Sequence, residues 1–203
     1  HNSEIFRASN PDFIDATMLS NHDQERIGSI ANGNIDKLKV AANLLLTLPG
    51  HPFIYYGEEL GMLGKKPDEN IREAFLWDIR RKDTHRANWQ KPKYNTDSKA
   101  NPLAIQQGDE NSIFNHYKNL IQIRKSHQAL WMNGNIEPMD VNTNKVVAFV
   151  RQHGNERFLV FQNVANESVT ISINENWSQK IYTFKNVNIT KNNIELSPYA
   201  MII

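Results

Sequence analysis

The stretch that decides the fold is IDKLKVAANLLLTLPGHPFIYYG, residues 35–57. Its first part carries apolar side chains at spacings of three and four, which is typical of an amphipathic helix. These side chains belong to Ile35, Leu38, Ala41, Ala42, Leu45 and Leu46. Asn34 is a suitable N-cap, and Pro49-Gly50 ends the pattern. The sequence therefore predicts a helix over about residues 35–47.

Two strand candidates flank this helix. Residues 14–19 are mostly apolar, and residues 52–56 are apolar on both faces. A strand with two apolar faces is typical of a buried parallel sheet, so we expect a strand–helix–strand unit with a right-handed crossover. A polar stretch from Gly64 to about Gly108 follows, and it is too long for an ordinary connection, which indicates a functional loop. A second amphipathic helix is predicted over about residues 111–128.

The rest of the chain, beyond a boundary near residues 131–134, changes to a shorter period. Strand candidates alternate there with turn residues such as His153-Gly154-Asn155. The predicted strands cover residues 145–151, 157–162, 168–173, 180–184 and 194–196. Short strands at this spacing predict an antiparallel sandwich or meander.

The composition of the 203 residues excludes several classes of partner. The net charge is +1 and charged residues make up 22% of the chain, so no strong field points to nucleic acid or to an anionic membrane. No apolar run approaches the length of a membrane span. The absence of cysteine excludes disulfides and leaves the redox compartment open.

The first predicted strand ends abruptly in three polar side chains, Asn21, His22 and Asp23, within MLSNHDQER. In (β/α)8 barrels the active site lies at the carboxyl ends of the strands. An ionised Asp accepts two hydroxyl hydrogens and His donates or accepts one, which suits a polyol. In glycoside cleavage, contacts to the 2-hydroxyl strengthen at the transition state. Taken alone, the tripeptide fits an ordinary polar loop equally well.

Longer segments carry a more specific pattern, and they resemble the alpha-amylase family, glycoside hydrolase family 13. MLSNHDQER (18–26) resembles its fourth signature region, at the end of the seventh barrel strand, and LPGHPFIYYGEELGM (48–62) resembles its eighth strand. KPDENIREAFLWD (66–78) and NSIFNHYKNLIQIRKSHQAL (111–130) resemble the following loop and the final barrel helix. LSPYAMII (196–203) resembles the last strand of the family's C-terminal β-domain. The resemblance covers nearly the whole chain, in family order and spacing.

The resemblance implies an α/β part followed by an all-β part. Residues 1–131 would form the last two β/α units of a (β/α)8 barrel, and residues 132–203 would form a C-terminal antiparallel β-sandwich domain. Two strands cannot close a barrel, so we expect their apolar faces to stay uncovered within this chain.

The resemblance also implies roles for four residues. Asp23 matches the family's third catalytic carboxylate, which binds sugar hydroxyls and stabilises the transition state. His22 matches the adjacent substrate-binding histidine, and Asn21 matches the structural Asn before it. Arg26 resembles an arginine that often follows this motif, and we group it with the substrate-binding residues. The departures from the family pattern remove no reacting group and fall at Met18, His51 and Ala74.

The family's nucleophile Asp and general-acid Glu have no counterpart in this sequence. They lie on the fourth and fifth barrel strands, which would precede His1. A retaining mechanism needs both carboxyl groups, so the chain is expected to be the C-terminal part of an enzyme and to be inactive alone. The acids that might replace them are predicted instead to be helix-start or solvated side chains: Glu58, Glu59, Asp68 and Glu69.

The expected partners are an α-glucan or maltooligosaccharide substrate and the N-terminal part of the barrel. We expect no metal in this chain, and calcium remains open for the full-length parent. Two alternatives stay open: a non-catalytic carbohydrate-binding or structural module, and a parent that acts as a glucosyl transferase or isomerase. An upstream Asp and Glu in the parent gene would favour the enzyme.

Overall fold

The computed structural model describes residues 2–79, 81–96, 101–132, 134–173, 175 and 178–203. Contacts group the chain into two compact units. Unit 1 comprises His1–Ala16, Asn43–His51 and Ile123–Ile203, and unit 2 comprises Thr17–Ala42 and Pro52–Gln122. Within the described residues, no helix is both long enough and apolar enough to cross a membrane.

The helices and strands of the described residues follow in chain order. The α-helices are α1 Asn2–Ser9, α2 Ile27–Ile30, α3 Ile35–Thr47, α4 Asp68–Ile71, α5 Leu103–Gln106 and α6 Ile113–Ser126. Short 3₁₀ helices cover Glu58–Leu60 and Gln128–Leu130. The first strands are β1 Ala16–Met18, β2 His51–Phe53, β3 Asn135–Pro138, β4 Val146–His153 and β5 Glu156–Asn163. The others are β6 Val169–Ser172, β7 Thr183–Phe184, β8 Val187–Ile189, β9 Asn193–Leu196 and β10 Met201–Ile202.

Both predicted long helices are confirmed. In α3 the Oδ1 atom of Asn34 accepts the backbone N–H of Lys37 at 3.0 Å, which satisfies one of the unpaired amides of the first turn. The inner face of α3 is buried, since Leu38 and Leu46 are each 2% exposed. Helix α6 begins and ends two residues inside the predicted bounds, an ordinary discrepancy because helix ends fray.

Strands β1 and β2 pair in a two-stranded sheet and are shorter than predicted. Apolar side chains in and beside these strands lie uncovered, with Met18 45% exposed, Phe53 57% and Tyr56 39%. Burial on both faces requires layers on both sides of a sheet, and two strands do not supply them. The expectation of uncovered apolar side chains is therefore confirmed.

The second half of the chain folds as an antiparallel β-sandwich, as predicted. One sheet has the strand order β3-β4-β5-β10-β7, and the other has the order β6-β9-β8. The inner faces share a core that draws on both sheets: Val146, Ala148, Phe161, Ile171, Ile173, Ile194, Leu196, Ala200 and Ile202. Strands β3 and β8 were not predicted, and each lies at the edge of its sheet. All four residues of β3 are exposed, so this strand lacks the alternation of buried and exposed residues by which strands are recognised.

Buried polar contacts in unit 1 join the end of α3 to the sandwich. The Arg151 side chain is fully buried and donates to the carbonyl of Thr47, with a second contact to the carbonyl of Trp131 at 2.6 Å. The Asn43 amide donates to Oε1 of Gln162 at 2.7 Å. Residues 43–51 are therefore grouped with the β-domain by their contacts. The domain boundary at residue 131 stays a prediction.

Candidate active site

The polar tip, defined as Asn21, His22 and Asp23, follows the end of β1. Oδ1 of Asn21 accepts the backbone N–H of Asp23 at 2.9 Å, so an Asx turn fixes the peptide that carries the carboxylate. Nε2 of His22 lies 3.2 Å from Oδ2 of Asp23, and the two side chains are 67% and 62% exposed. The structure therefore brings the predicted imidazole and carboxylate together on an open surface, where a ligand has access to both.

Arg72 holds the polar tip from one side, and sequence reasoning did not single it out. Its Nε donates to the carbonyl of His22 at 3.0 Å, and its NH2 donates to Oδ1 of Asp23 at 3.1 Å and to Oδ2 of Asp68 at 2.9 Å. Hydrogen bonding and charge from Lys66, with further charge from Arg72, lower the pKa of the exposed Asp68 carboxyl. The sequence contains one signal for Arg72. It follows Asp68 by four residues, a spacing at which opposite charges pair on a helix, and it lies inside the segment that resembles the family's loop.

Arg26 is buried, and its grouping with the substrate-binding residues stays a prediction. Its side chain is 1% exposed; Nε donates to the carbonyl of Ile71 and NH1 to that of Tyr56, both at 2.7 Å. The guanidinium also lies over the rings of Tyr55 and Tyr56, at 4.4 and 4.7 Å. Burial lowers the pKa of Arg26. The described contacts of Arg26 are with backbone carbonyls and aromatic rings inside unit 2.

Glu58 is also buried, at 2% exposure, and it lies in the first turn of the 3₁₀ helix Glu58–Leu60, which agrees with the helix-start side of the expectation. Its Oε1 accepts the hydroxyl of Tyr117 at 2.9 Å. Burial raises the pKa of Glu58 to about 7, and the hydrogen bonds from Tyr117 and Ser20 oppose that rise. Burial also raises the pKa of Glu59. Buried acids with a raised pKa are found at functional sites and also in structural networks.

The Glu73 carboxylate holds part of the long polar loop in place through hydrogen bonds. Glu73 is fully buried and accepts the backbone N–H groups of Lys93 at 2.6 Å, Tyr94 at 2.9 Å and Asn95 at 2.9 Å. The Asn95 side chain in turn pairs with the backbone of Leu63, donating and accepting at 2.8 Å. The predicted functional loop is therefore an ordered element where the structure describes it.

Among the described residues, no group of three or more His, Asp or Glu side chains is arranged to hold an ion. The exposed carboxylates Asp23 and Asp68 are instead bound by Arg72. The expectation that this chain holds no metal stays a prediction.

Comparison with known proteins shows the family. The partial barrel and the antiparallel β-domain of this chain are similar to parts of alpha-amylase-type enzymes. The family model described as "Alpha amylase, catalytic domain" matches residues 2–133, and that described as "Alpha-amylase SusG C-terminal domain" matches residues 146–203. The chain belongs to the alpha-amylase family, glycoside hydrolase family 13.

Individual relatives agree with this assignment. Alpha-amylase 3 of Dictyoglomus thermophilum is 41% identical over 98% of this chain and 40% of its own length. Alpha-amylase SusG of Bacteroides thetaiotaomicron is 32% identical over 95% of this chain and 29% of its own. The crystal structure of an alpha-amylase from H. orenii superposes with a TM-score of 0.86 at 32% identity, over 99% of this chain and 42% of that one.

Two features of these matches limit which properties of the relatives can be attributed to this chain. The chain spans less than half the length of the relatives it matches. Less similar relatives carry other names, among them 4-alpha-glucanotransferase, cyclomaltodextrinase and oligo-1,6-glucosidase. The family is therefore shown, while the reaction and the activity of the whole protein are proposals.

Proposed function

We propose that this chain is the C-terminal part of a retaining glycosidase that hydrolyses α-glucosidic bonds in starch-derived glucans or oligosaccharides. The observation that carries the proposal is the exposed Asp23 carboxylate, which is fixed beside His22 in a chain of the alpha-amylase family. The full-length enzyme is here the protein of the relatives' length that contains this chain. Any calcium would belong to that full-length enzyme.

In the proposed mechanism Asp23 binds sugar hydroxyls next to the scissile bond. The ionised carboxylate accepts two hydroxyl hydrogens, and contacts of this kind strengthen as the sugar acquires oxocarbenium character. His22 adds a hydrogen bond beside it. Arg72 limits the movement of the carboxylate by binding Oδ1, while Oδ2 faces His22. The nucleophile and the general acid would come from outside these 203 residues.

The first expected result concerns the chain by itself. The 203 residues should release no reducing sugar from soluble starch or maltooligosaccharides, because a retaining reaction needs two further carboxyl groups. The measurement is reducing-sugar release by the purified chain against the full-length enzyme. Activity within about a hundredfold of the full-length enzyme would mean that acids within this chain perform the reaction, since removing a catalytic group normally costs far more.

The second expected result ranks the two side chains of the polar tip. His22→Ala in the full-length enzyme should lower kcat/KM by less than Asp23→Asn does, because a neutral hydrogen bond is weaker than a charge-assisted one. Steady-state kinetics on a maltooligosaccharide measures both variants. A larger loss for His22→Ala would reverse the two roles.

Transfer of the glucosyl group is the main alternative within the family. Named relatives include a 4-alpha-glucanotransferase, and transfer would use the same Asp23 and His22 with a sugar as acceptor instead of water. Chromatography of the products from a single maltooligosaccharide separates the two reactions. Hydrolysis gives only shorter chains, whereas transfer also gives longer ones.

A non-catalytic sugar-binding role for the β-domain is less well supported. Sugar-binding surfaces commonly present aromatic rings to the sugar face. In the part of residues 134–203 that the structure describes, the exposed large apolar side chains are aliphatic: Ile136, Val147 and Val164. Tyr182 and Phe184 are only partly exposed. Titration calorimetry of the chain with maltoheptaose would reveal such binding.

A further inference from the structure

The long polar loop forms a cavity with a volume of about 310 Å³. Among the described residues, polar side chains of its lining include Asp83, Arg86, Asn88 and Gln90, and Ala74 also lies in its wall. The volume is at the lower end of the range of about 300–1,000 Å³ that small-molecule sites occupy. The proposed mechanism uses none of these residues.

The chemistry of the lining favours a neutral, polar ligand. Asp83 and Arg86 carry opposite charges, and the carboxylate of Glu73, which also lines the cavity, is already bound by backbone N–H groups. The described residues contain no group of three His, Asp or Glu side chains suited to a metal. The amides of Asn88 and Gln90 each offer donors and an acceptor. Because Nε2 of Gln90 donates to a backbone carbonyl, its Oε1 is left as an acceptor for a hydroxyl group.

An exposed aromatic ring lies beside this lining. Trp89 is 55% exposed and stands in the chain between two lining residues, Asn88 and Gln90. Its indole offers an apolar face next to hydrogen-bonding amides. A sugar ring has the matching character, because its faces carry C–H groups and its edge carries hydroxyls. The cavity and Trp89 together therefore suit a sugar ring better than an ion or an apolar ligand.

The cavity is close in the chain to the arginine that binds the polar tip. Ala74 follows Arg72 by two residues, so their Cα atoms are at most about 7 Å apart. Nη2 of Arg72 lies 3.1 Å from Oδ1 of Asp23, and all three residues belong to unit 2. An extended glucan that contacts Asp23 is therefore long enough to reach the cavity.

We infer that this cavity, together with Trp89, binds a glucosyl unit of the α-glucan at a distance from the bond that is cleaved. The inference rests on the proposed function, in which an α-glucan contacts Asp23, and it adds a preference for longer chains. Contacts with a remote unit are the same in the ground state and in the transition state, so they should change KM rather than kcat. Ala74, at which the sequence departs from the family pattern, lies in the cavity wall.

Kinetics on two chain lengths in the full-length enzyme test the inference. Trp89→Ala should lower kcat/KM for maltoheptaose by about five- to tenfold, mainly through KM, because the sugar loses the aromatic face. For maltotriose the same variant should leave kcat/KM nearly unchanged, since the shorter chain does not reach the cavity. Trp89→Phe keeps an aromatic face and should restore most of the loss. Lys91→Ala is the matched control: Lys91 is exposed in the same segment and is absent from the described lining, so both substrates should behave normally.

A second variant changes the cavity itself. Ala74→Leu places a larger side chain in the wall and should also weaken the use of maltoheptaose relative to maltotriose. Circular dichroism checks the fold of each variant, and Trp89→Ala alone decides the test if Ala74→Leu folds poorly, because Trp89 is exposed. An unchanged ratio of kcat/KM for the two substrates in Trp89→Ala would overturn the inference. The unaltered enzyme separates the two proposals: no turnover of either substrate defeats the proposed function, whereas normal turnover with an unchanged ratio in Trp89→Ala defeats only the role of the cavity.

Discussion

Asp23→Asn in the full-length enzyme should lower kcat by roughly a thousandfold while the fold is retained. The change keeps the shape of the side chain but removes the charge, and charge-assisted hydrogen bonds are about twice as strong as neutral ones. The lost contacts are those that strengthen at the transition state, so kcat should fall more than substrate binding. Steady-state kinetics on a maltooligosaccharide, with circular dichroism for the fold, measures both.

Asp68→Asn is the matched control for this prediction. Asp68 also binds Arg72, at 2.9 Å, and its side chain is 41% exposed, so the variant removes an equal charge from the same cluster. It should lower kcat by less than tenfold, because Asp68 has no expected contact with the sugar. Near-normal kcat in Asp23→Asn, or equal losses in the two variants, would contradict the role given to Asp23.

Arg151→Met should destabilise the 203-residue chain by about 3 kcal/mol or more. Arg151 is fully buried, and its guanidinium donates to backbone carbonyls that would lose their partner. The acceptors are the carbonyls of Thr47, Trp131, Gly134 and Asn135. At this chain length each kcal/mol corresponds to about 2–4 °C in Tm, so a shift of at least 6 °C is expected. Thermal unfolding followed by circular dichroism measures it.

Two variants control the interpretation of that result. Arg157→Met removes an arginine from β5 that is 39% exposed and paired with Glu175, and it should cost less than about 1 kcal/mol. Arg151→Lys keeps the buried charge but not the planar fork, and it should recover only part of the loss. A cost below about 1 kcal/mol for Arg151→Met would show that the carbonyls find water or other partners.

The sequence alone determined the elements whose signal is local. The spacing of the apolar residues predicted both ends of α3, Ile35 and Thr47, and Asn34 was correctly predicted as its N-cap. Alternation and turn residues located five strands of the sandwich, including β4 and β5. These features depend on neighbours within one turn or one strand, so the information lies within a few residues. The family resemblance likewise identified the polar tip, because it occupies consecutive positions.

Only the tertiary structure decided the contacts that hold these elements in place. Arg72 binds Asp23 from 49 residues away, Arg26 is buried against the backbone of Ile71, and Arg151 donates to the carbonyl of Thr47, the last residue of α3. In the sequence Arg72 and Arg151 give no sign of these contacts, and Arg26 was grouped with the substrate-binding residues. The acceptors of a guanidinium come from distant parts of the chain that the fold brings together, so no periodic pattern in the sequence predicts them. An arginine can be buried only where backbone carbonyls or other acceptors lie within hydrogen-bond distance.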